Sequence, residues 1–215
     1  MIFTHGKKLL FIGDSITDCG REKPDGEGLF EELGNGYVSF VNALVQSRYP
    51  ELGLQVVNKG VNGDTVRELA ERWQRDVVDQ NPDFLAIMIG INDVWRQFHS
   101  PFEKEQHIYI AEYKRTLEGF MEGACPHVDK LILMTPFFLE KNRNDQMRLQ
   151  MDRYGEAVSE LAEKYACVFV DTQRAFDDYL EHAYTSSLAW DRVHPNATGH
   201  MILARTFLSA VGWEE

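Results

Sequence analysis

The sequence predicts an α/β protein: a three-layer α/β/α sandwich around a central five-stranded parallel sheet. Two observations carry the prediction. Five short, almost wholly apolar runs recur along the chain, the pattern of strands covered on both faces. Longer segments of helical period lie between them, so strand and helix alternate. The chain has 215 residues, 44% of them hydrophobic, enough to bury a sizeable core. No repeat, low-complexity tract or long linker divides it, and residues 1–215 read as one domain.

The elements follow in order. KLLFIG (8–13) is the first strand, and it runs into Gly-Asp-Ser. Arg21 and the segment EKPDGEGLFEELGNG (22–36) form a Gly-rich loop, long enough at about 20 residues to carry function. GYVSFVNALVQSRYP (36–50) is helical, and LQVVNKG (54–60) is the second strand. DTVRELAERWQRDVVDQ (64–80) is a helix that Asp64 or Thr65 caps, with Glu68 at capping-box distance from Thr65. FLAIMIG (84–90) is the third strand. IYIAEYKRTLEGFMEGAC (108–125) sets Ile110, Tyr113, Leu117, Phe120 and Met121 on one helical face. KLILMTP (130–136) is the fourth strand. The helix at 145–166 repeats the stripe with Met147, Met151, Tyr154, Val158 and Leu161. CVFVDT (167–172) is the fifth strand, and a last helix over roughly 196–210 turns Ile202, Leu203, Phe207 and Leu208 inward.

Charge narrows the function classes. A formal net charge of −12 repels nucleic-acid phosphates and anionic membranes, and no basic patch offsets it. No run approaches the roughly 18 apolar residues of a membrane span. The N-terminal stretch has too short an apolar part, and no small-residue cleavage site, to be a signal peptide. Cys19, Cys125 and Cys167 are widely spaced, without a C-x-x-C pair, and read as reduced thiols. The expectation is a cytoplasmic protein with no nucleic-acid or membrane partner.

Ligands of open parallel sheets sit outside the carboxyl ends of the strands. Gly13-Asp14-Ser15, Gly60 to Thr65 and Gly90-Ile91-Asn92-Asp93 should therefore line one crevice. Each stretch alone is ordinary turn chemistry. Together they supply what nucleophilic catalysis needs. A serine hydroxyl requires a base, and the base an orienting partner. His194 lies in WDRVHPN with Asp191 three residues earlier, so carboxylate and imidazole can meet on a loop stiffened by Pro195. The N–H groups of Ser15 and Gly63 and the side-chain amide of Asn92 are candidate donors to an oxyanion. Asp14 and Asp93 are expected to tie loop amides as ionised carboxylates.

Four of these segments, FIGDSITD, GVNGDT, IGIND and DRVHP, resemble the four blocks of the SGNH, or GDSL-type, hydrolases, from Leu9 to the last helix. The resemblance implies a flavodoxin-like sandwich, Ser15 as nucleophile, His194 as base with Asp191, and Ser15, Gly63 and Asn92 as the oxyanion hole. None of the five positions departs from the pattern. GDSITDCGR, VNKG, MIGINDVWRQF and LAWDRVHP most resemble bacterial acetylxylan esterases and related carbohydrate acetylesterases. That likeness implies a serine esterase that removes acetyl groups from short acetylated xylo-oligosaccharides without metal or organic cofactor.

Trp95, Phe98, Tyr184 and Trp190 are expected to ring the crevice, where aromatic faces suit a pyranose. Arg96, Gln97 and Arg192 are expected to reach sugar hydroxyls. Aromatic late loops and Trp213 point to a homo-oligomer. The rivals are a thioesterase or lysophospholipase of the same fold, a two-metal phosphoesterase using the strand-end carboxylates, and a silent binding protein.

Overall fold

The computed structural model describes residues 1–24 and 32–214. Part of the predicted Gly-rich loop, residues 25–31, lies outside them. Strands β1 (Lys8–Gly13), β2 (Gln55–Gly60), β3 (Phe84–Met88), β4 (Lys130–Met134) and β5 (Val168–Val170) form the sheet. Their order is β2-β1-β3-β4-β5 and every pairing is parallel, so the predicted five-stranded parallel sheet is observed. Leu9 to Ile12 of β1 and all of β3 are buried. Helices on both faces leave those strands no polar side, which is why they read as unbroken apolar runs.

The helices are α1 (Ser15–Asp18), α2 (Tyr37–Arg48), α3 (Val66–Trp73), α4 (Ile91–His99), α5 (Ile110–Ala124), α6 (Gln146–Lys164), α7 (Thr172–Leu180) and α8 (Ala197–Ala210). Helix α8 packs on α2 and α7, while α5 packs on α3 and α6, and α4 on α6. The stripe residues Tyr113, Leu117, Phe120 and Met121 of α5 are buried, as are Met147, Met151, Tyr154, Val158 and Leu161 of α6.

The structure departs from the sequence reading in four places. Helix α1 follows β1 at once, capped by the Asp14 side chain, which accepts the Ile16 N–H. Helix α4 occupies what reads as the turn-rich end of the third strand; Ile91 and Val94 face the core, and Trp95 packs partly against it. Strand β5 stops at Val170 because Asp171 caps α7 by accepting the Arg174 N–H. Helix α3 also continues into a π-helical turn, Gln74–Val78.

The strand tips come together because the register pairs Gly13 with Gly60. A Cβ on Gly60 would sit 2.1 Å from the Asp18 nitrogen, so only glycine lets α1 fold back over the end of β2.

One buried cation joins the far helices. Arg148 on α6 is fully buried, and its fork donates to Asp177 on α7 at 2.7 and 2.8 Å, with Nε on Asp152 at 2.7 Å. It also donates to the Glu140 carbonyl at 2.8 Å. Replacing Arg148 with Met removes the buried donor these acceptors share, leaving Asp177 only Arg143 and Gln173 among the described residues. The expected loss is about 3 kcal/mol, read from urea unfolding midpoints. Unchanged midpoints would refute a structural role for the fork.

Candidate active site

Ser15 is the first residue of α1, directly past the end of β1. His194 lies in the loop before α8, whose start is fixed by Asn196 accepting the Thr198 and Gly199 N–H groups. The two side chains are far apart in sequence, yet Ser15 Oγ lies 2.9 Å from His194 Nε2. His194 Nδ1 lies 2.6 Å from Asp191 Oδ2. Asp191 Oδ1 accepts the backbone N–H of Val193 and of His194, both at 2.9 Å. Partial burial pushes the Asp191 carboxyl pKa up, but the bonds from His194 and Val193 outweigh it and hold the pKa below its ordinary value. An ionised Asp191 makes Nδ1 the donor and leaves Nε2 free to accept the Ser15 proton.

Gly63 faces the same space with φ +83°, a left-handed conformation that favours glycine. A Cβ there would meet nothing within 4 Å, so conformation, rather than crowding, calls for glycine. Asn92, in the first turn of α4, donates one amide hydrogen to the Asp64 carbonyl at 2.9 Å. The amide keeps a second hydrogen for a ligand. Ser15, Asn62, Gly63, Asn92, Trp95 and His194 line one crevice of about 500 Å³. Hydroxyl, imidazole and carboxylate stand in bonding line, beside amide N–H groups at one edge of the sheet.

Residues 11–202 match the model of the GDSL-like lipase/acylhydrolase family. The chain belongs to that family. An acetylxylan esterase of Geobacillus stearothermophilus is 57% identical over 209 residues, covering 97% of this chain and 95% of the relative. The crystal structure of Axe2, an acetylxylan esterase from Geobacillus stearothermophilus, superposes with a TM-score of 0.99 at 56% identity, covering 100% of this chain and 98% of the other. Further solved forms of Axe2 carrying S15A, H194A and D191A are described as catalytic mutants. Another, W190I, is described as a form of an acetyl-xylooligosaccharide esterase.

Around this family site, the periphery differs from the sequence reading. Trp95 lines the crevice and sets its ring edge-on to His194, centroids 5.8 Å apart. Trp190 and Tyr184 are almost fully solvent-exposed and are not among the lining residues. Lying close to Asp191 in sequence does not turn a loop side chain inward. Arg96 binds the Gly63 carbonyl and Glu68, and Gln97 binds the backbone of Asp93 and Ile108. Arg192 pairs with Glu140 and lies over the Phe138 ring. Trp213 is half-buried against the core. Thr65 caps α3 with Glu68 completing the capping box, while Asp64 pairs with Arg72.

Asn62 lines the crevice as its place in the Gly60 to Thr65 stretch predicts, whereas the sequence reading did not single out Ile16, Cys19, Pro195 and His200. Ile16 and Pro195 adjoin motif residues, a usable signal. His200 had none, since α8 hides it on a helical face. Its Nδ1 accepts the Tyr37 N–H at 3.1 Å, and burial pushes its pKa down to about 4, with His194 adding to the shift. It is therefore neutral, with Nε2–H directed at Cys19 Sγ 3.4 Å away.

Asp14 and Asp93 do tie loop amides, through the N–H groups of Ile16 and Val66. Their charge state is not the expected one. Burial raises Asp14 to about 7, against the opposing pull of the Ile16 N–H and His194. Burial, with a smaller push from Asp14, raises Asp93 to about 8. Asp93 Oδ2 is buried without a partner among the described residues, the state of a neutral acid rather than a carboxylate.

The folded pKa values exceed the unfolded reference of about 3.9, so the folded chain keeps protons that the unfolded chain releases. Stability from this source is complete below the unfolded value and is lost as pH rises through about 7 and about 8. Asp93→Asn is neutral throughout. Its melting temperature relative to wild type should climb between about pH 4 and about pH 8. A difference constant with pH would show that Asp93 is charged in the folded state.

Proposed function

We propose that this protein is a serine esterase that removes acetyl groups from short acetylated xylo-oligosaccharides, with Ser15, His194 and Asp191 as its catalytic residues. The observation that carries the reading is the unbroken bonding line from Ser15 Oγ through His194 to Asp191, open to the crevice. The full-length likeness to Axe2, and the catalytic mutants known for that enzyme, support it. We take residues 1–215 as one catalytic domain. Among the described residues no helix is long and apolar enough to cross a membrane. Three unpaired thiols support a cytoplasmic setting, and the exposed Trp190 and Tyr184 support self-association.

The reaction follows from the geometry. His194 Nε2 takes the Ser15 proton as Oγ bonds to the acetyl carbonyl carbon, and Asp191 stabilises the imidazolium that forms. The carbonyl π-electrons move to oxygen, where the N–H groups of Ser15 and Gly63 and the Asn92 amide receive the charge. Collapse of that adduct breaks the bond to the sugar oxygen, which takes the proton from His194. Ser15 is left as its acetyl ester. Water, deprotonated by His194, then adds to the acetyl carbon; acetate leaves and the proton returns to Ser15 Oγ.

Acetate release from acetylated xylo-oligosaccharides tests the reading, with Ser15→Ala as the blank. Asp191→Asn should lower turnover by up to about 10⁴ with the fold intact, because an amide no longer fixes the productive tautomer. Asn92→Ala should raise the barrier by about 2.7–4 kcal/mol. Preference for octanoyl over acetyl p-nitrophenyl esters would replace this reading with a thioesterase or lysophospholipase. Activity abolished by chelation and restored by Mn²⁺ would replace it with a phosphoesterase-type metal site.

A further inference from the structure

The weakest-held part of the oxyanion hole is Gly63. Glycine has the freest backbone of any residue, and no atom lies within 4 Å of where its Cβ would be, so side-chain packing does not fix it. Hydrogen bonds must set the direction of its N–H. The Gly63 carbonyl accepts from Arg96 Nη2 at 2.6 Å. The next residue, Asp64, gives its carbonyl to Asn92 at 2.9 Å and its carboxylate to Arg72 at 2.6 Å.

Arg96 is itself held at its other end. Its Nη1 lies 3.2 Å from Glu68 Oε1. Glu68 Oε2 accepts the Thr65 N–H at 2.8 Å and also the Thr65 hydroxyl. Arg96, Gly63, Thr65 and Glu68 thus form a ring of bonds between the first turns of α3 and the last turns of α4. Burial opposes ionisation of Glu68, but the Thr65 and Arg96 bonds prevail and bring its pKa down to about 2. The ring is therefore charged throughout the neutral range. Arg96 is not among the residues lining the crevice, whereas Asn92 and Trp95 of the same helix are.

We propose that Arg96, anchored by Glu68, is a positioning residue for the reaction: it pins the Gly63 carbonyl so that the loop presents the Gly63 N–H to the oxyanion. The inference rests on the esterase reading above. A charge-assisted bond is about twice as strong as a neutral one, and here it fastens a residue that packing leaves loose. Its loss costs the transition state more than the bound ester, because the donor bonds the oxyanion only once charge has formed.

The test uses Arg96→Met, Arg96→Lys and Glu68→Gln in the full chain, each with two substrates: an acetylated xylo-oligosaccharide and p-nitrophenyl acetate, which has no sugar. Arg96→Met should lower kcat about 10- to 100-fold on both substrates alike, with KM within about twofold. Arg96→Lys, which keeps a cation within reach of the carbonyl, should recover part of the loss, and Glu68→Gln should show a smaller fall of the same kind. If p-nitrophenyl acetate is turned over normally while the sugar ester shows a raised KM, Arg96 is a sugar contact and the proposal is overturned. Wild-type kcat in folded Arg96→Met overturns it too. Should Arg96→Met fail to fold, equal kcat losses on both substrates for Glu68→Gln support the proposal, and none overturns it. Failure of the esterase reading itself would look different: wild type and Ser15→Ala would then release acetate at the same rate.

Discussion

The site hangs on the guanidinium of Arg72. Its Nη2 donates to the Gly13 carbonyl at 2.9 Å and its Nη1 to the Lys59 carbonyl at 2.7 Å. Its Nε donates to Asp64 at 2.6 Å, and Nη1 also reaches Asp76 at 3.0 Å. Arg72 is buried. One rigid, planar cation thereby ties the tip of the nucleophile strand to the tip of β2 and to the loop that carries Gly63. The parallel sheet brings these tips to one edge, but sheet pairing ends at Gly13 and Gly60. There the Gly13 carbonyl accepts the Val61 N–H at 3.0 Å and Arg72 as well, so a buried cation reinforces the last backbone bond of the sheet and aligns the site.

The same economy operates on α4. Residues three and four apart share a helical face, and Asn92, Trp95 and Arg96 stand in that relation. Asn92 holds the Asp64 carbonyl, Trp95 walls the crevice and Arg96 holds the Gly63 carbonyl. A single short helix therefore faces the ligand and braces the loop opposite. Its Gln97 is bound to Ile108 and to the Tyr154 hydroxyl, which fastens α4 to the segment before α5 and to α6.

What was legible in the sequence divides along physical lines. Strands whose two faces are both covered must be apolar throughout, so KLLFIG and FLAIM announce themselves. The long stripes of α5 and α6 do so through their period. The Ser15, Gly63 and Asn92 segments were legible because turn-forming residues at successive strand ends converge in a parallel sheet, and Asp191–His194 because an acid three residues before a histidine on a short loop can pair with it. Helix α4 was not, because Asn92 and Asp93 carry turn chemistry and the helix is only nine residues long. With the helix unread, the bonds of Arg96 to the Gly63 carbonyl and Glu68 could not be foreseen. The Thr65–Glu68 box is a local spacing and could be read, but its extension to Arg96 crosses between elements and exists only in the folded chain. Exposure of Trp190 and Tyr184 is likewise decided by loop path, which no local pattern encodes.

The charge states around Ser15 follow from the same burial. Four aspartates approach the crevice in a strongly acidic protein, yet they do not act alike. Asp191 is partly exposed and takes hydrogen bonds from its own loop, so it ionises. Asp64 is pushed up by burial, with Arg72 pulling the other way. Asp14 and Asp93 lie wholly inside, and burial favours their neutral forms. A buried negative charge beside Ser15 would repel an oxyanion forming there, and low dielectric would strengthen that repulsion. Both accept backbone N–H bonds and shape the strand-end turns. Asp93, raised to about 8, is protonated at neutral pH and adds no field against the reaction, while Asp14, at about 7, divides between its two forms. Ionised charge is left where it aids proton transfer, on the carboxylate behind the imidazole.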